Sequence, residues 1–400
     1  MAARVTGRVQ PLALPATRLL SLDAFRGLTM AAMVIVNNPG DWNTVYWPLL
    51  HAEWNGCTPT DLVFPYFLFI VGVAITLSRS TLGSWSRIVR RSLVILGFGL
   101  FLTGFPFWFN PAFTPATWRF PGVLQRIAVC YLVAAFLYRL TVPNGERQDL
   151  RHAIRLGGWI VGVLLVYWAA MTWMPVPGGS AGDLSPSGNL GAFIDRAVFG
   201  ESHLWKKHAW DKLHPWLAGW DPEGILSTLP AIATTVIGVI TGLWLRADRS
   251  PSGKAAGMAV AALPLMALGL AWHPLFPINK QLWTGSYVLF TGGAALLTLA
   301  ACYWIIDLRG WKAWSIPFVI LGLNAIALYV LEGLVEKLLI VIRVTGSEGK
   351  PVVLQHLIYT VWFEPIASPK NASLLFALAN LAVFFAVLYA LYRRKIFLKV

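Results

Sequence analysis

Long apolar runs recur along this chain, near residues 19–38, 61–79, 88–108, 121–140, 156–174, 225–245, 256–272, 282–304, 314–341 and 373–392. A helix needs about 20 mainly apolar residues to cross the hydrocarbon core of a bilayer. Backbone inside lipid must satisfy its own polar groups, which leaves helices and closed barrels. The pattern therefore predicts an all-α, polytopic transmembrane helical bundle of about ten spans. Composition agrees. Hydrophobic residues make up 57% of the 400 and charged residues 12%, against about 25% charged in a soluble domain.

The net charge of +14 would raise nucleic acid as a partner in a soluble chain. Here the Lys and Arg residues sit mostly in short connections, and no basic run is interleaved with aromatics outside the apolar stretches. They cluster on alternate connections, at Arg4, Arg8 and Arg18, then Arg79 to Arg91, Arg139 to Arg155, Arg246 to Lys254, Arg309 and Lys312, and Arg393 to Lys399. The positive-inside rule makes that side cytoplasmic, with both termini on it and residues 1–18 as a cytoplasmic tail. The opposite loops, 39–60, 105–120, 175–224, 273–281 and 342–372, are richer in Trp and Pro. The longest, 175–224, exceeds what a connector needs and is expected to be ordered and to cover a site. Cys57, Cys130 and Cys302 form no disulfide framework, since two of them fall within apolar runs.

Ionisable residues inside spans are costly and normally face a cavity or a partner. Asp23 and Arg26 share a helix face in the first span, where they either tie helices together or serve a ligand. Asn37 stands at the far end of the same helix. Gln125 and Arg126 lie inside the fourth span; Arg126 could bind a carboxylate such as Asp23, or a ligand phosphate. On the outer face, His51, Glu53, Trp54, Asn55 and Asp61 crowd the entry to the second span. Asp61 reads first as a helix cap, with Pro near the first turn. His51 can accept and return a proton near neutral pH, and Asp61 or Glu53 could orient its ring. Cys57 is a weaker nucleophile candidate. His203, His208 and His214 are spaced five and six apart, unlike a helical zinc pair, and no metal is expected. Trp205, Trp210, Trp216 and Trp220 form either a rim for a ring-shaped polar acceptor or an interfacial belt.

Six stretches then fall in a recognisable order: LLSLDAFRGLTMAAMVIVNN, HAEWNGCTPTDLVFPYFLFIVGVAI, FPGVLQRIAVCYLVAA, FIDRAVFGESHLW, DPEGILSTLPAI and PINKQLWTGSYVLF. Together they resemble the heparan-alpha-glucosaminide N-acetyltransferase family and its bacterial relatives. The resemblance implies a single transmembrane acyltransferase domain over 19–400 in a bacterial inner (plasma) membrane. It implies acetyl transfer from cytoplasmic acetyl-CoA to the amino group of a glucosamine-type sugar on the outer face. It places the active-site histidine at His51 and its asparagine partner at Asn37. In this reading Asp61 orients His51, and Arg26, Arg126, Asp23 and Gln125 hold the donor's phosphates near the inner surface. Glu53, Trp54, Asn55, Trp205 and Glu223 meet the acceptor beneath loop 175–224. A homodimer is also implied. Two rival functions remain: an O-acetyltransferase of surface glycans and an amino-sugar transporter.

Overall fold

A computed structural model describes residues 19–78, 84–105, 114–142, 150–205, 219–345 and 349–398. The helices are α1 Leu20–Asn37, α2 Val63–Leu77, α3 Trp85–Gly104, α4 Val123–Thr141, α5 Leu150–Trp173, α6 Leu190–Phe199 and α7 Ile225–Arg246. They continue with α8 Pro251–Trp272, α9 Gly285–Cys302, α10 Ile316–Leu323, α11 Ala325–Val341, α12 Leu354–Trp362 and α13 Pro369–Arg393. A π-helical turn, Tyr303–Leu308, extends α9. One departure from all-α is a short antiparallel pair, β1 Arg343–Thr345 with β2 Pro351–Val353.

Among the described residues, eight helical segments are long and apolar enough to cross a membrane, or nine if a bent pair counts as one crossing. The chain is a multi-pass helical membrane protein. The helix at the third apolar run, α3, has 20 residues but opens with Arg87, Arg90 and Arg91, and it is not among the eight. The run at 314–341 is not one straight span. It bends by 70° between α10 and α11, where Asn324 leaves helical geometry at φ −121° and ψ 39°.

Without a hydrophobic drive between helices in lipid, packing depends on small residues that let backbones approach. The central α2–α7 contact shows this. Gly238 and Gly242 are spaced four apart on α7, and a Cβ at Gly238 would collide with the Phe69 carbonyl of α2. A Cβ at Gly27 of α1 would likewise strike the Phe318 carbonyl of α10. The main apolar core gathers α1, α2, α4, α5, α7 and α9 around Phe25, Leu68, Phe69, Tyr138, Val236, Trp283 and Tyr287.

Hydrogen bonds between helix ends orient the bundle. At one end, the Ser21 N–H at the start of α1 donates to Asp307 at the end of the α9 extension, 3.2 Å. At the other, the Tyr287 hydroxyl near the start of α9 donates to the Asp61 carbonyl at the head of α2, 2.6 Å. Arg126, one turn into α4, lies 5.1 Å from the Trp283 ring centre and so belongs to this second end.

Candidate active site

The second end carries the site, which begins with a helix cap. Pro59–Leu62 forms a single 3-10 turn before α2, and Thr58 and Asp61 make a reciprocal capping box. The Asp61 Oδ2 accepts from the Ala52 N–H at 3.0 Å, the Thr58 N–H at 3.0 Å and the Thr58 hydroxyl at 3.1 Å. Its Oδ1 faces His51 Nδ1 at 2.6 Å. Asp61 is therefore both helix cap and imidazole partner. Its side chain is 1% accessible, against 43% for His51. An ionised carboxylate only accepts hydrogen bonds. His51 Nδ1 must then carry the proton, which leaves the Nε2 lone pair free.

Lys280, in the loop before α9, completes the cluster. Its Nζ lies 3.1 Å from His51 Nδ1, 3.2 Å from His51 Nε2 and 3.8 Å from Asp61 Oδ1. Desolvation, then the Lys280 charge, holds the His51 imidazole below its ordinary pKa, against the raising effect of Asp61. Because much of the ring is accessible, that desolvation is partial and the Lys280 charge is the more specific cause. Burial, then Asp61, pushes the Cys57 thiol up to about 12. Thiolate at neutral pH is scarce, so nucleophilic attack by Cys57 is disfavoured.

Beside this cluster lies a second polar group. Arg119 donates to Asp221 through Nε at 2.8 Å and Nη2 at 2.6 Å, and through Nη2 to Glu223 at 2.5 Å. The Asp221 and Glu223 carboxylates hold the guanidinium pKa above its ordinary value against the desolvation of the site. Aromatic rings link the 39–60 and 175–224 connections. Trp54 donates its indole N–H to the Leu184 carbonyl at 3.0 Å and meets Trp220 edge-on at 5.2 Å, and Trp220 meets Trp205 at 6.2 Å. Asn55 is exposed and accepts from Asn279 at 3.1 Å. Glu53 is exposed. Trp210, Trp216, His208 and His214 lie outside the described residues. Among the described residues no group of three or more His, Cys, Asp or Glu has the arrangement of a metal site.

Asn37 donates to Glu332 of α11 at 3.4 Å, while its neighbour Asn38 makes the closer bond to the same oxygen at 2.9 Å. Asp23 and Arg26 pair at 2.9 Å near the opposite end of α1, and Arg26 also reaches the Gly322 carbonyl at 3.4 Å. This corrects the grouping expected for the donor phosphates. Arg126 and Gln125 stand at the His51 end, and Arg26 and Asp23 stand at the other, so they form two separate groups. The topology carried the signal, because α4 starts from a loop on the His51 side. Arg126 is 2% accessible and donates to Ser227 at 2.5 Å and to the Gly224 carbonyl at 3.3 Å. Its Nε and Nη1, like Gln125 Nε2, have no hydrogen-bond partner among the described residues.

Sequence reasoning missed Lys280, Tyr287 and Glu332. Glu332, Glu336 and Lys337 interrupt an apolar run and were detectable by that rule alone. Lys280 is 229 residues from His51, and no local spacing links them.

Comparison with known proteins matches residues 18–147 to the family described as heparan-alpha-glucosaminide N-acetyltransferase, catalytic. Over an alignment of 443 positions covering 98% of this chain, it is 30% identical to the Homo sapiens protein named heparan-alpha-glucosaminide N-acetyltransferase. Identity to the Mus musculus protein of the same name is 31%, over 96% of this chain. The alignments take in 62% and 61% of those relatives, so the chain spans about three fifths of their length. The matched region contains α1, the His51–Asp61 pair and α4, and the alignments extend through Lys280 to α13; the chain belongs to the heparan-alpha-glucosaminide N-acetyltransferase family.

Proposed function

We propose that the chain is an acetyl-CoA-dependent N-acetyltransferase that acetylates the amino group of a glucosamine-type sugar on the outer face of a bacterial inner membrane. The observation that carries this reading is the His51–Asp61 pair, with Nδ1 held at 2.6 Å and Nε2 left open. The names of the two relatives support the reaction and the acceptor class.

An ammonium has no lone pair with which to attack a thioester. The acceptor ammonium first gives up one proton to water; as the amine nitrogen then forms its bond to the acetyl carbonyl carbon, His51 Nε2 takes the second. The carbon–sulfur bond breaks, and the departing thiolate recovers the proton from His51. A two-step route, with acetyl carried first on His51, uses the same residues. Asn37 supplies a hydrogen bond to the carbonyl oxygen as it gains charge; one such donor is worth about 3 kcal/mol. Asp61 fixes the ring and its tautomer.

Acetyl-CoA is polyanionic and stays on the cytoplasmic side. Arg26, paired with Asp23, meets its phosphates there with help from Arg90 and Arg91. Arg126 and Gln125 stand at the other end and offer their unpartnered N–H groups to the reacting end of the donor. Glu53, Trp54, Asn55, Trp205 and Glu223 form the acceptor rim beneath loop 175–224. Both termini are cytoplasmic in this reading, and the protein works as a homodimer.

The test uses purified protein in lipid nanodiscs, labelled acetyl-CoA, and parallel panels of amino sugars and hydroxyl-only sugars. Label is expected in the amino sugars and absent with His51→Ala. Label in the hydroxyl-only sugars alone would establish the O-acetyltransferase instead. Sugar uptake into proteoliposomes without acetyl-CoA would replace both with a transporter. Label trapped on His51 without acceptor marks the two-step route.

A further inference from the structure

We infer that Lys280 is a positioning residue of the His51 site: its ammonium keeps the imidazole neutral without occupying the lone pair that must take the proton. The inference rests on the reading of His51 as a base and deepens it by naming what keeps that base available.

The need for such a group follows from Asp61. A buried carboxylate at 2.6 Å from the ring favours the imidazolium form, because an opposite charge within about 4–6 Å stabilises the charged partner. Alone, the pair would raise the proton affinity of the ring and so enlarge the imidazolium share at neutral pH. Lys280 supplies the opposing charge. Its Nζ is 3.8 Å from the same Asp61 oxygen that faces His51, so it competes for that negative charge. It also lies against the ring, where a second positive charge is disfavoured.

The geometry gives this arrangement its selectivity. The ammonium is almost equidistant from the two ring nitrogens, 3.1 and 3.2 Å. A cation placed between them lies along neither nitrogen's lone pair. It acts through space on the charge of the ring and leaves Nε2 open to the substrate. Desolvation lowers the Lys280 pKa, and Arg126 adds to this, while Asp61, then Glu223 and Cys57, act in the opposite direction; the Asp61 carboxylate at 3.8 Å favours the ammonium form. The Lys280 side chain is 15% accessible, and its one ion pair among the described residues is with Asp61. Its charge is therefore committed to this cluster and not spent on the surface.

The experiment reads the His51 titration apart from catalysis. Diethyl pyrocarbonate reacts with neutral imidazole, and peptide mass spectrometry follows its rate at His51 as pH is varied. In the wild type the midpoint is expected below 6.5, the ordinary value for histidine. In Lys280→Met it is expected about one unit higher than in the wild type, the low end of the range for a neighbouring charge because the ring is partly accessible. Lys280→Arg, which keeps the charge, should restore the wild-type midpoint. The acid limb of kcat/KM should move in parallel, with the KM for acetyl-CoA unchanged. Where Lys280→Met lacks a cooperative thermal transition, Lys280→Gln takes its place. Identical His51 midpoints in the wild type and the uncharged variant overturn the inference. A wild type that titrates as expected yet transfers no acetyl overturns the base reading instead, and the Lys280 effect stands.

Discussion

Asp61→Asn is the sharpest perturbation of this site, because it changes one atom and almost no volume. The carboxylate accepts from two backbone N–H groups and one hydroxyl on Oδ2 and faces His51 through Oδ1. An asparagine cannot serve both sides. If its NH2 replaces Oδ2, two amide donors point at the Ala52 and Thr58 N–H groups. If it replaces Oδ1, it points at His51 Nδ1 and imposes the other tautomer, which closes Nε2 as a base. Losing a charge-assisted hydrogen bond costs about 1.5–3 kcal/mol, and each buried donor left without an acceptor costs about 1–3 kcal/mol. The reactive tautomer needs the first orientation, which strands both backbone donors; a loss on the order of 3–5 kcal/mol corresponds to about 10²- to 10⁴-fold in kcat/KM, at 1.36 kcal/mol per tenfold. The assay is acetyl transfer from labelled acetyl-CoA, with thermal unfolding in the same detergent to separate folding from chemistry. Thr58→Ala is the control, since it removes the capping hydroxyl and leaves the carboxylate. An Asp61→Asn enzyme that folds and keeps its rate within about threefold of wild type, which is under 1 kcal/mol, would refute the assignment of Asp61 as the orienting group.

Two further outcomes concern stability. Arg119→Met strands the fully buried Asp221 carboxylate beside Glu223. Removing one partner of a buried pair costs about 3–5 kcal/mol; because Arg119 is itself 25% accessible, the lower end is expected, read as a fall in the detergent thermal midpoint. Burial pushes Asp195 up to about 7, against the opposing bond from the Ile225 N–H. Its folded value lies above its unfolded value, so stability present at low pH is lost as pH rises through about 7. Asp195→Asn keeps an acceptor for that N–H and removes the charge. It should match wild type near pH 3.5, below the ordinary value of 3.8, and exceed it near pH 8 by on the order of 2–4 kcal/mol. A variant equally stable or less stable than wild type at both pH values would contradict this.

The apolar runs made the helices legible, because lipid demands length and composition that few other folds use. α1 and α13 fall close to where the sequence places them. The break in 314–341 was hidden, since a single Asn in 28 residues does not announce a bend. Its cause is distant: Asn324 donates to the Ile396 carbonyl at 3.1 Å and accepts from the Leu398 N–H at 2.8 Å. The site divides in the same way. His51 and Asp61 lie ten positions apart and could be paired by eye, because a cap and an imidazole meet on one short loop. Lys280 and Tyr287 reach that loop only through packing of α9 on α2. Arg126 was identifiable as a buried charge, but its depth along α4 had to be read from the direction of the helix, and grouping it with Arg26 ignored that direction.

The separation of 229 residues between His51 and Lys280 also has a consequence for biosynthesis. At about 5–20 residues per second, the ribosome needs roughly 10–50 s after making the histidine before it supplies the lysine. Throughout that interval the nascent chain carries Asp61 at the head of α2 without the Lys280 charge and the Tyr287 hydroxyl that later meet it. The segment matched as catalytic, residues 18–147, is thus synthesised before the residues that complete the cluster around His51.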